Sequence, residues 1–222
     1  MDRKLCYRNF DKEIEKEISR YCDKHMYVGE IEFKRCYDIP LQKSGVDGFL
    51  TIESLGIKDA MADEKASAHY VNNPIKTYLM ELSQITSAGD EVDGWFLSKD
   101  SKTEYYILMY IWALVPQTEN NGRIFSDWKS IKDDNITLVE YFIVKKSDIF
   151  SYLEKCGFDE GRLRDAVRYL RENNDVDRVN TEHGFKFVIS RKFKECPVNV
   201  CIERDVYKKI CKMHGFAGKF DN

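Results

Sequence analysis

Residues 45–66 read GVDGFLTIESLGIKDAMADEKA, and this stretch decides the fold that the sequence predicts. Its two halves, Val46–Glu53 and Ile57–Ala66, have the apolar alternation and length that are typical of β-strands. The three residues between them end at Gly56, which adopts the left-handed conformation of a three-residue hairpin loop without strain. The stretch therefore predicts two antiparallel strands joined by a tight turn.

The length of this turn sets the register of the two strands. If the residues that flank the turn pair with each other, Asp47 lies opposite Asp63 on the same face of the sheet, with Cβ atoms about 5 Å apart. Because side chains alternate along a strand, Lys65 shares that face while Glu64 points away from it. The register therefore predicts a cluster of two acids and one lysine.

Two facing carboxylates repel each other unless a cation or a shared proton lies between them. Mg²⁺ suits such a pair because it prefers one or two carboxylates and keeps several waters, one of which can attack a phosphodiester. Lys65 would then orient or deprotonate that water, or stabilise the charge that develops on the phosphate. We therefore expect a site for Mg²⁺ or Mn²⁺ at Asp47 and Asp63.

The elements around this stretch predict an α/β fold. Apolar residues at helical spacing predict a helix from Asn9 to about Lys24, and the alternating run Ile31–Tyr37 completes a three-strand meander. Pro74 is a suitable first residue for a helix over Ile75–Ile85. Two strands, Gly94–Ser98 and Thr103–Leu114, are predicted to form a hairpin. Together these elements predict a central mixed sheet of about five strands that is flanked by helices.

These residues and their order resemble the PD-(D/E)xK nuclease superfamily, the restriction-endonuclease-like fold. The matching motifs are Gly45-Val46-Asp47 and Asp63-Glu64-Lys65, although Val46 replaces the proline that names the motif. The element order also matches, with a helix, a meander that carries both motifs, a second helix and a further strand. The resemblance implies that Asp47, Asp63 and the backbone carbonyl of Glu64 hold the metal and that Lys65 is catalytic.

The same resemblance suggests two accessory residues. Nucleases of this kind often place a glutamate of the first helix near the metal and a polar residue on the helix after the lysine strand. Here these residues would be Glu15 and Glu81. An ordinary solvated helix face is the alternative interpretation for Glu15, and for Glu81 the alternative is that it does not serve the site.

The second half of the chain predicts further strands and helices. We divide the chain into a nuclease-like core, 1–115, and an α+β C-terminal extension, 116–222, that packs on the core or completes it. Residues 116–136 are predicted to form an irregular segment. The remaining predicted elements are a strand at Leu138–Val144, helices at Ser147–Gly157 and Glu160–Glu172, strands at Phe185–Ser190 and Val198–Ile202, and a helix at Asp205–His214 that ends at Gly215.

Composition limits the classes of partner. The 222 residues are 43% hydrophobic and 33% charged, with a net charge of −3, so no overall basic field indicates nucleic acid. We expect no membrane segment and no small-molecule cofactor. Seven scattered cysteines predict free thiols in a cytoplasmic protein. DNA and a second copy of the chain are the expected partners by the resemblance.

Two further sets of residues have alternative interpretations. Cysteines and a histidine near the C-terminus lack the paired spacing of common zinc sites, so we do not expect zinc there. Four arginines on the Glu160–Glu172 helix either contact a phosphate backbone or form a solvated face. The zinc candidates are Cys196, Cys201, Cys211 and His214, and the arginines are Arg162, Arg164, Arg168 and Arg171.

The sequence therefore favours a metal-dependent nuclease that hydrolyses phosphodiester bonds in DNA. One alternative is a DNA-binding or scaffold protein of a phage or mobile element that keeps the nuclease fold without cutting. Another is an α/β protein in which Asp47, Asp63 and Lys65 have no common role. Coordinates distinguish the last alternative, because the three side chains converge in a cleft only if they form a site.

Overall fold

A computed structural model describes residues 3–73 and 75–218 of the chain, with side chains from Asp11 onward. No helix in this part of the chain combines the length and the apolar character that crossing a membrane requires. The α-helices are α1 (Arg3–His25), α2 (Ile39–Lys43), α3 (Lys146–Lys155), α4 (Glu160–Glu172) and α5 (Arg204–Ile210).

A six-stranded mixed sheet is the main layer of the protein. Its strands are β1 (Glu32–Arg35), β2 (Gly48–Ile52), β3 (Ile57–Ala66), β6 (Tyr105–Ala113), β9 (Ile136–Lys145) and β13 (Met213–Gly218). They lie in the order β1-β2-β3-β6-β9-β13. Only β3 and β6 run parallel, and the other neighbours are antiparallel. The predicted α/β fold with a central mixed sheet is confirmed, with six strands instead of about five.

A second sheet packs on one face of the first. Its strands are β4 (Thr77–Ile85), β5 (Glu91–Asp93), β10 (Arg178–Asn180), β11 (Phe185–Ile189) and β12 (Val198–Glu203). They are antiparallel in the order β10-β11-β12-β4-β5. A separate hairpin consists of β7 (Gln117–Asn120) and β8 (Arg123–Ser126). It lies within residues 116–136, the segment that was predicted to be irregular. The predicted division after residue 115 falls between β6 and β7, and each sheet takes strands from both sides of it.

The main sheet separates two hydrophobic cores, and β6 contributes to both. Ile107 and Met109 face α1 and pack with its Ile18. Leu108 faces the second sheet and packs with residues such as Val200. Burying a side chain of this size contributes about 1.5–3 kcal/mol. The buried stripe of α1 follows helical spacing, as predicted, although the helix begins at Arg3 instead of Asn9.

The helix predicted over residues 75–85 is wrong, because this segment is strand β4. The spacing of its apolar residues fits a helix as well as a strand. Tyr78, Met80 and Leu82 alternate into the core as strand residues do. Pairing with β12 decides between the two, and that partner lies more than 100 residues further along the chain. Pro74, the predicted first residue of the helix, lies outside the described residues.

Two other predicted elements are also wrong. Residues 94–98 form a turn instead of a strand, and the amide of Leu97 donates to the carbonyl of Gly94 at 3.1 Å. The last predicted helix ends early at Ile210, and the chain continues as β13. Gly215 therefore does not end a helix. It lies in β13, where a Cβ atom would collide with the ring of Tyr141 on β9.

Candidate metal centre and its cleft

The strands that carry the acidic pair meet in the predicted register. β2 and β3 pair Gly48 with Ala62, and one further step along this pairing sets Asp47 beside Asp63. A one-residue shift nearer the turn leaves this end of the ladder unchanged. Gly56 has a φ of 65°, the left-handed conformation expected at the end of the loop.

Asp47 is held by hydrogen bonds on both sides. Its amide donates to the carbonyl of Ala62 at 2.9 Å, and its carbonyl accepts from the amide of Cys36 at 2.8 Å. Its side-chain Oδ2 accepts from the amide of Glu64 at 2.9 Å. β3 extends beyond the start of β2, and the Asp47 carboxylate takes the place of a backbone acceptor there. The carboxylate is therefore fixed in orientation.

Asp63 is the buried member of the pair, with 2% of its surface exposed. Burial raises the pKa of Asp63 to about 7, Lys65 lowers it in part, and the adjoining carboxylate of Asp47 raises it further. A carboxyl with this pKa carries a proton for part of the time at neutral pH. The two acids thus have the repulsion that a bound cation would relieve.

Lys65 lies directly on the buried acid. Its Nζ donates to Oδ1 of Asp63 at 2.6 Å and lies 5.2 Å from the centroid of the Trp95 ring. Burial alone would lower the pKa of Lys65, but the carboxylates of Asp63 and Asp47 raise it above its usual value. The amine is therefore a protonated ammonium at neutral pH. In this state it acts as a positive charge and a hydrogen-bond donor.

Glu64 faces the opposite side of the sheet, as its alternation with Lys65 predicts. Its Oε1 accepts from the hydroxyl of Tyr27 at 2.6 Å, and its Oε2 accepts from Nη1 of Arg35 at 2.6 Å. Only its backbone therefore faces the acidic pair. The amide and carbonyl of one strand residue point the same way, so the Glu64 carbonyl is directed towards Asp47 together with the bonded amide.

A cleft of about 1080 Å³ opens over the acidic pair. Among the residues that line it are Asp47, Glu64, Lys65 and Glu15. Asp63 lies beneath this surface. The structure therefore brings Asp47, Asp63 and Lys65 together at one cleft.

The two accessory candidates both lie near Lys65. Glu15 is on the exposed side of α1, where loss of solvent in the cleft raises its pKa and Lys65 opposes that rise. Burial raises the pKa of Glu81 to about 7, again against the opposing charge of Lys65. Glu81 is on strand β4, so its predicted position on a helix is wrong. Glu15 lines the cleft and remains a candidate for accepting a proton there, whereas Glu81 is not among the residues that line it.

The donor set fits a hard cation with few protein ligands. Within the described residues no group of three or more Asp, Glu, His or Cys side chains is arranged to hold a metal. Asp47 and Asp63 supply two carboxylates, and Glu64 supplies a carbonyl. Mg²⁺ and Mn²⁺ suit oxygen donors, and Mg²⁺ usually keeps several waters, whereas a structural zinc site requires four nitrogen or sulfur ligands. The residues present therefore fit Mg²⁺ or Mn²⁺.

No family model, curated protein or solved structure matches this chain. The chemistry of the site is therefore the basis on which a function is inferred.

Three residues that the sequence did not single out complete the site. The hydroxyl of Tyr78 donates to the backbone carbonyl of Lys65. The Trp95 ring faces the ammonium of Lys65. Thr103 Oγ1 donates to the carbonyl of Gly45 at 2.6 Å and thereby holds the segment that precedes Asp47. Their roles depend on contacts between distant segments, so no local pattern in the sequence marks them.

The zinc candidates and the arginines of α4 are not part of this site. His214 Nε2 lies 2.8 Å from Oε1 of Glu140, and the zinc candidates form no metal-binding group in the part of the chain that is described. All six cysteines whose side chains are described are free thiols.

Three arginines of α4 have acidic partners. These pairs are Arg164 with Asp93 and Glu160, Arg168 with Asp165, and Arg171 with Glu91.

Proposed function

We propose that this protein is a metal-dependent nuclease that hydrolyses phosphodiester bonds in DNA, with the PD-(D/E)xK type of site. One observation carries the proposal. Asp47 and Lys65 line one cleft, and the ammonium of Lys65 lies 2.6 Å from Asp63, which is buried beside Asp47 beneath the surface of the cleft. The sequence order of these residues is that of the superfamily motif.

The charges of the site suit a phosphodiester. Two carboxylates alone would repel a phosphate, so the substrate requires a cation that neutralises them. A bound Mg²⁺ or Mn²⁺ would be held by Asp47, Asp63 and the Glu64 carbonyl, and it would supply Lewis-acid activation of water and of the phosphate. The protein's own contribution is to fix these donors before substrate binds.

Lys65 stabilises negative charge in this proposal. Because its amine is protonated, it donates a hydrogen bond to a phosphate oxygen as charge develops in the transition state. It does not serve as the base. The proton of the attacking water passes to an acid that lies over the cleft, and Glu15 is suited to this role because its pKa is raised.

The Trp95 ring and Asp63 limit the positions that the ammonium can take. A flexible lysine would lose conformational entropy on each encounter with substrate, and contacts that hold it in advance reduce this loss. The fixed orientation of Asp47 has the same effect on the metal. The site therefore has the preorganisation that electrostatic catalysis requires.

A test of this function is the cleavage of supercoiled plasmid, branched DNA and single-stranded DNA with Mg²⁺ or Mn²⁺. Metal-dependent cutting by the wild type that Asp63→Ala and Lys65→Ala both abolish supports the proposal. If none of the substrates is cut and calorimetry detects no metal binding, the protein is instead a binding or scaffold protein. Cutting both strands of a duplex takes two such sites, so the expected homodimer stays a prediction that light scattering tests.

A further inference from the structure

We propose that the cleft binds unpaired, single-stranded DNA, with bases stacked on Tyr37 and Tyr70 and the phosphate backbone along Lys12 and Lys16. This inference rests on the proposed nuclease function and names the form of its substrate. All four residues line the same cleft as Asp47 and Lys65.

Two large aromatic side chains are exposed in this cleft. Tyr37 is 83% exposed and Tyr70 is 48% exposed. Within the described part of the chain neither ring contacts another aromatic ring. Single exposed apolar residues are common on protein surfaces, but two exposed rings that line one cleft form a larger surface for a ligand. Aromatic rings of this kind stack with the faces of unpaired bases whatever their sequence.

Both rings have a fixed place relative to the acidic pair. The amide of Cys36, the residue before Tyr37, donates to the carbonyl of Asp47 at 2.8 Å. Tyr70 follows His69, whose Nε2 lies 3.0 Å from Oδ1 of Asp11 on α1 and whose ring contacts the Trp128 ring at a tilt of 44°. The segments that carry the tyrosines are therefore held by the protein, while the rings themselves remain free to meet a ligand.

The α1 wall of the cleft carries charges of both signs, because the basic residues Lys12, Lys16 and Arg20 alternate there with the acidic residues Asp11, Glu15 and Asp23. Lys12 and Lys16 are exposed, and neither forms an ion pair within the residues that the structure describes. Arg35, another basic residue of the cleft, is engaged with Asp23 and Glu64 and is not available. The two lysines are therefore free to contact phosphates, which provide most of the affinity for nucleic acids.

The lining of the cleft favours a single strand over a duplex, and its volume of about 1080 Å³ is at the large end for a ligand-binding cleft. In a duplex the base faces are covered by neighbouring base pairs, so a tyrosine on a cleft wall reaches only groove edges and phosphates. Stacking on the two exposed rings is therefore open only to unpaired bases.

Fluorescence anisotropy tests this inference with a labelled, non-self-complementary single strand and the corresponding duplex, in Mg²⁺ and with Lys65→Met present in every protein so that cleavage is slow during the measurement. The variants are Tyr37→Leu, Tyr70→Leu and Tyr37→Phe. Tyr169→Leu is the matched control, because Tyr169 is also 48% exposed but lies on α4 and does not line this cleft. Lys12→Gln tests the proposed backbone contact.

We expect the protein with Lys65→Met alone to bind the single strand more tightly than the duplex. Each Tyr→Leu substitution should weaken single-strand binding by at least about fivefold, while Tyr37→Phe and Tyr169→Leu should leave it nearly unchanged. Lys12→Gln should reduce the slope of log affinity against log salt by about one. Equal binding of duplex and single strand, or tyrosine variants that bind like Tyr169→Leu, would overturn the inference. Metal-dependent cleavage that requires Lys65 is measured separately, so it can stand when this inference fails.

Discussion

The backbone amide of Glu64 donates a hydrogen bond of 2.9 Å to Oδ2 of Asp47. This bond joins the two motifs of the site, because Asp47 precedes β2 and Glu64 lies in β3. The backbone and the side chain of Glu64 therefore have different roles. Its backbone faces the acidic pair, and its carboxylate binds Tyr27 and Arg35 on the opposite side of the sheet.

Glu64→Gln should therefore separate stability from metal binding. The amide side chain loses the charged partner of Arg35, and we expect the free energy of unfolding to fall by about 2 kcal/mol, as for other hydrogen bonds to charged groups. The affinity for Mg²⁺ should stay nearly unchanged, because the backbone carbonyl is retained. Urea denaturation and isothermal titration calorimetry measure the two quantities. A loss of metal affinity as large as that of Asp47→Asn would show that the side chain itself binds the metal.

Asp63 should make the metal-free protein less stable as the pH rises. In the unfolded chain this carboxyl titrates near pH 4, whereas burial raises its pKa in the folded protein to about 7. Between these values the folded state binds more protons than the unfolded state, so stability falls through this window and stays low above it. Asp63→Asn removes the charge. Its melting temperature should exceed that of the wild type by more at about pH 8 than at about pH 5, and a difference that does not grow with pH would contradict the account.

Metal binding should reverse this loss of stability with rising pH. Mg²⁺ or Mn²⁺ requires an ionised Asp63, so binding should release protons and become tighter between about pH 6 and pH 8. Calorimetry in buffers of different ionisation enthalpy measures the release. Asp47→Asn should abolish binding. Asp59→Asn, on an exposed position of β3, should not change it.

Gly45 should be essential for the placement of Asp47. Its φ of 80° is unfavourable for other residues, and a Cβ atom would lie 2.7 Å from Oγ1 of Thr103. Gly45→Ala should lower the free energy of unfolding by about 1–2 kcal/mol from the left-handed conformation alone. It should also reduce cleavage, because the Thr103 contact moves. Gly161→Ala, inside α4, should be neutral or stabilising, and similar effects of the two substitutions would argue against a positional role for Gly45.

The strands of the meander were predictable from the sequence because the alternation of apolar residues and the turn at Gly56 are local signals. The predicted pairing at the turn is wrong, because Ile57 pairs with Ile52 instead of Glu53. A one-residue shift between Leu50 and Ile52 compensates for this difference, so Asp47 still lies beside Asp63 as predicted. The direction of the Glu64 side chain follows from the alternation alone.

The second sheet was predictable only in part, because β11 and β12 match the strands predicted at Phe185–Ser190 and Val198–Ile202, whereas β4 was predicted to be a helix. The segment from Thr77 to Ile85 has a pattern that suits a helix as well as a strand, and a partner in β12 decides the outcome. β13 likewise forms because Tyr141 and its neighbours in β9 pair with a glycine-rich segment. The contacts of Trp95 and Tyr78 with Lys65 depend on this tertiary arrangement, so the residues that hold the ammonium became visible only in the structure.

Cleavage of labelled DNA by Lys65→Met, in comparison with Lys58→Met, tests whether Lys65 and the acidic pair form the catalytic site. Lys58 lies on the same strand in an exposed position, so its loss controls for charge and for effects on β3. With Mg²⁺, we predict that Lys65→Met lowers the single-turnover rate by about 100- to 1,000-fold, the usual cost of removing one donor to a developing charge. Lys58→Met should cleave at the rate of the wild type, and EDTA should stop both proteins. Equal rates for the two variants would contradict the proposal that Lys65 and the acidic pair form the catalytic site.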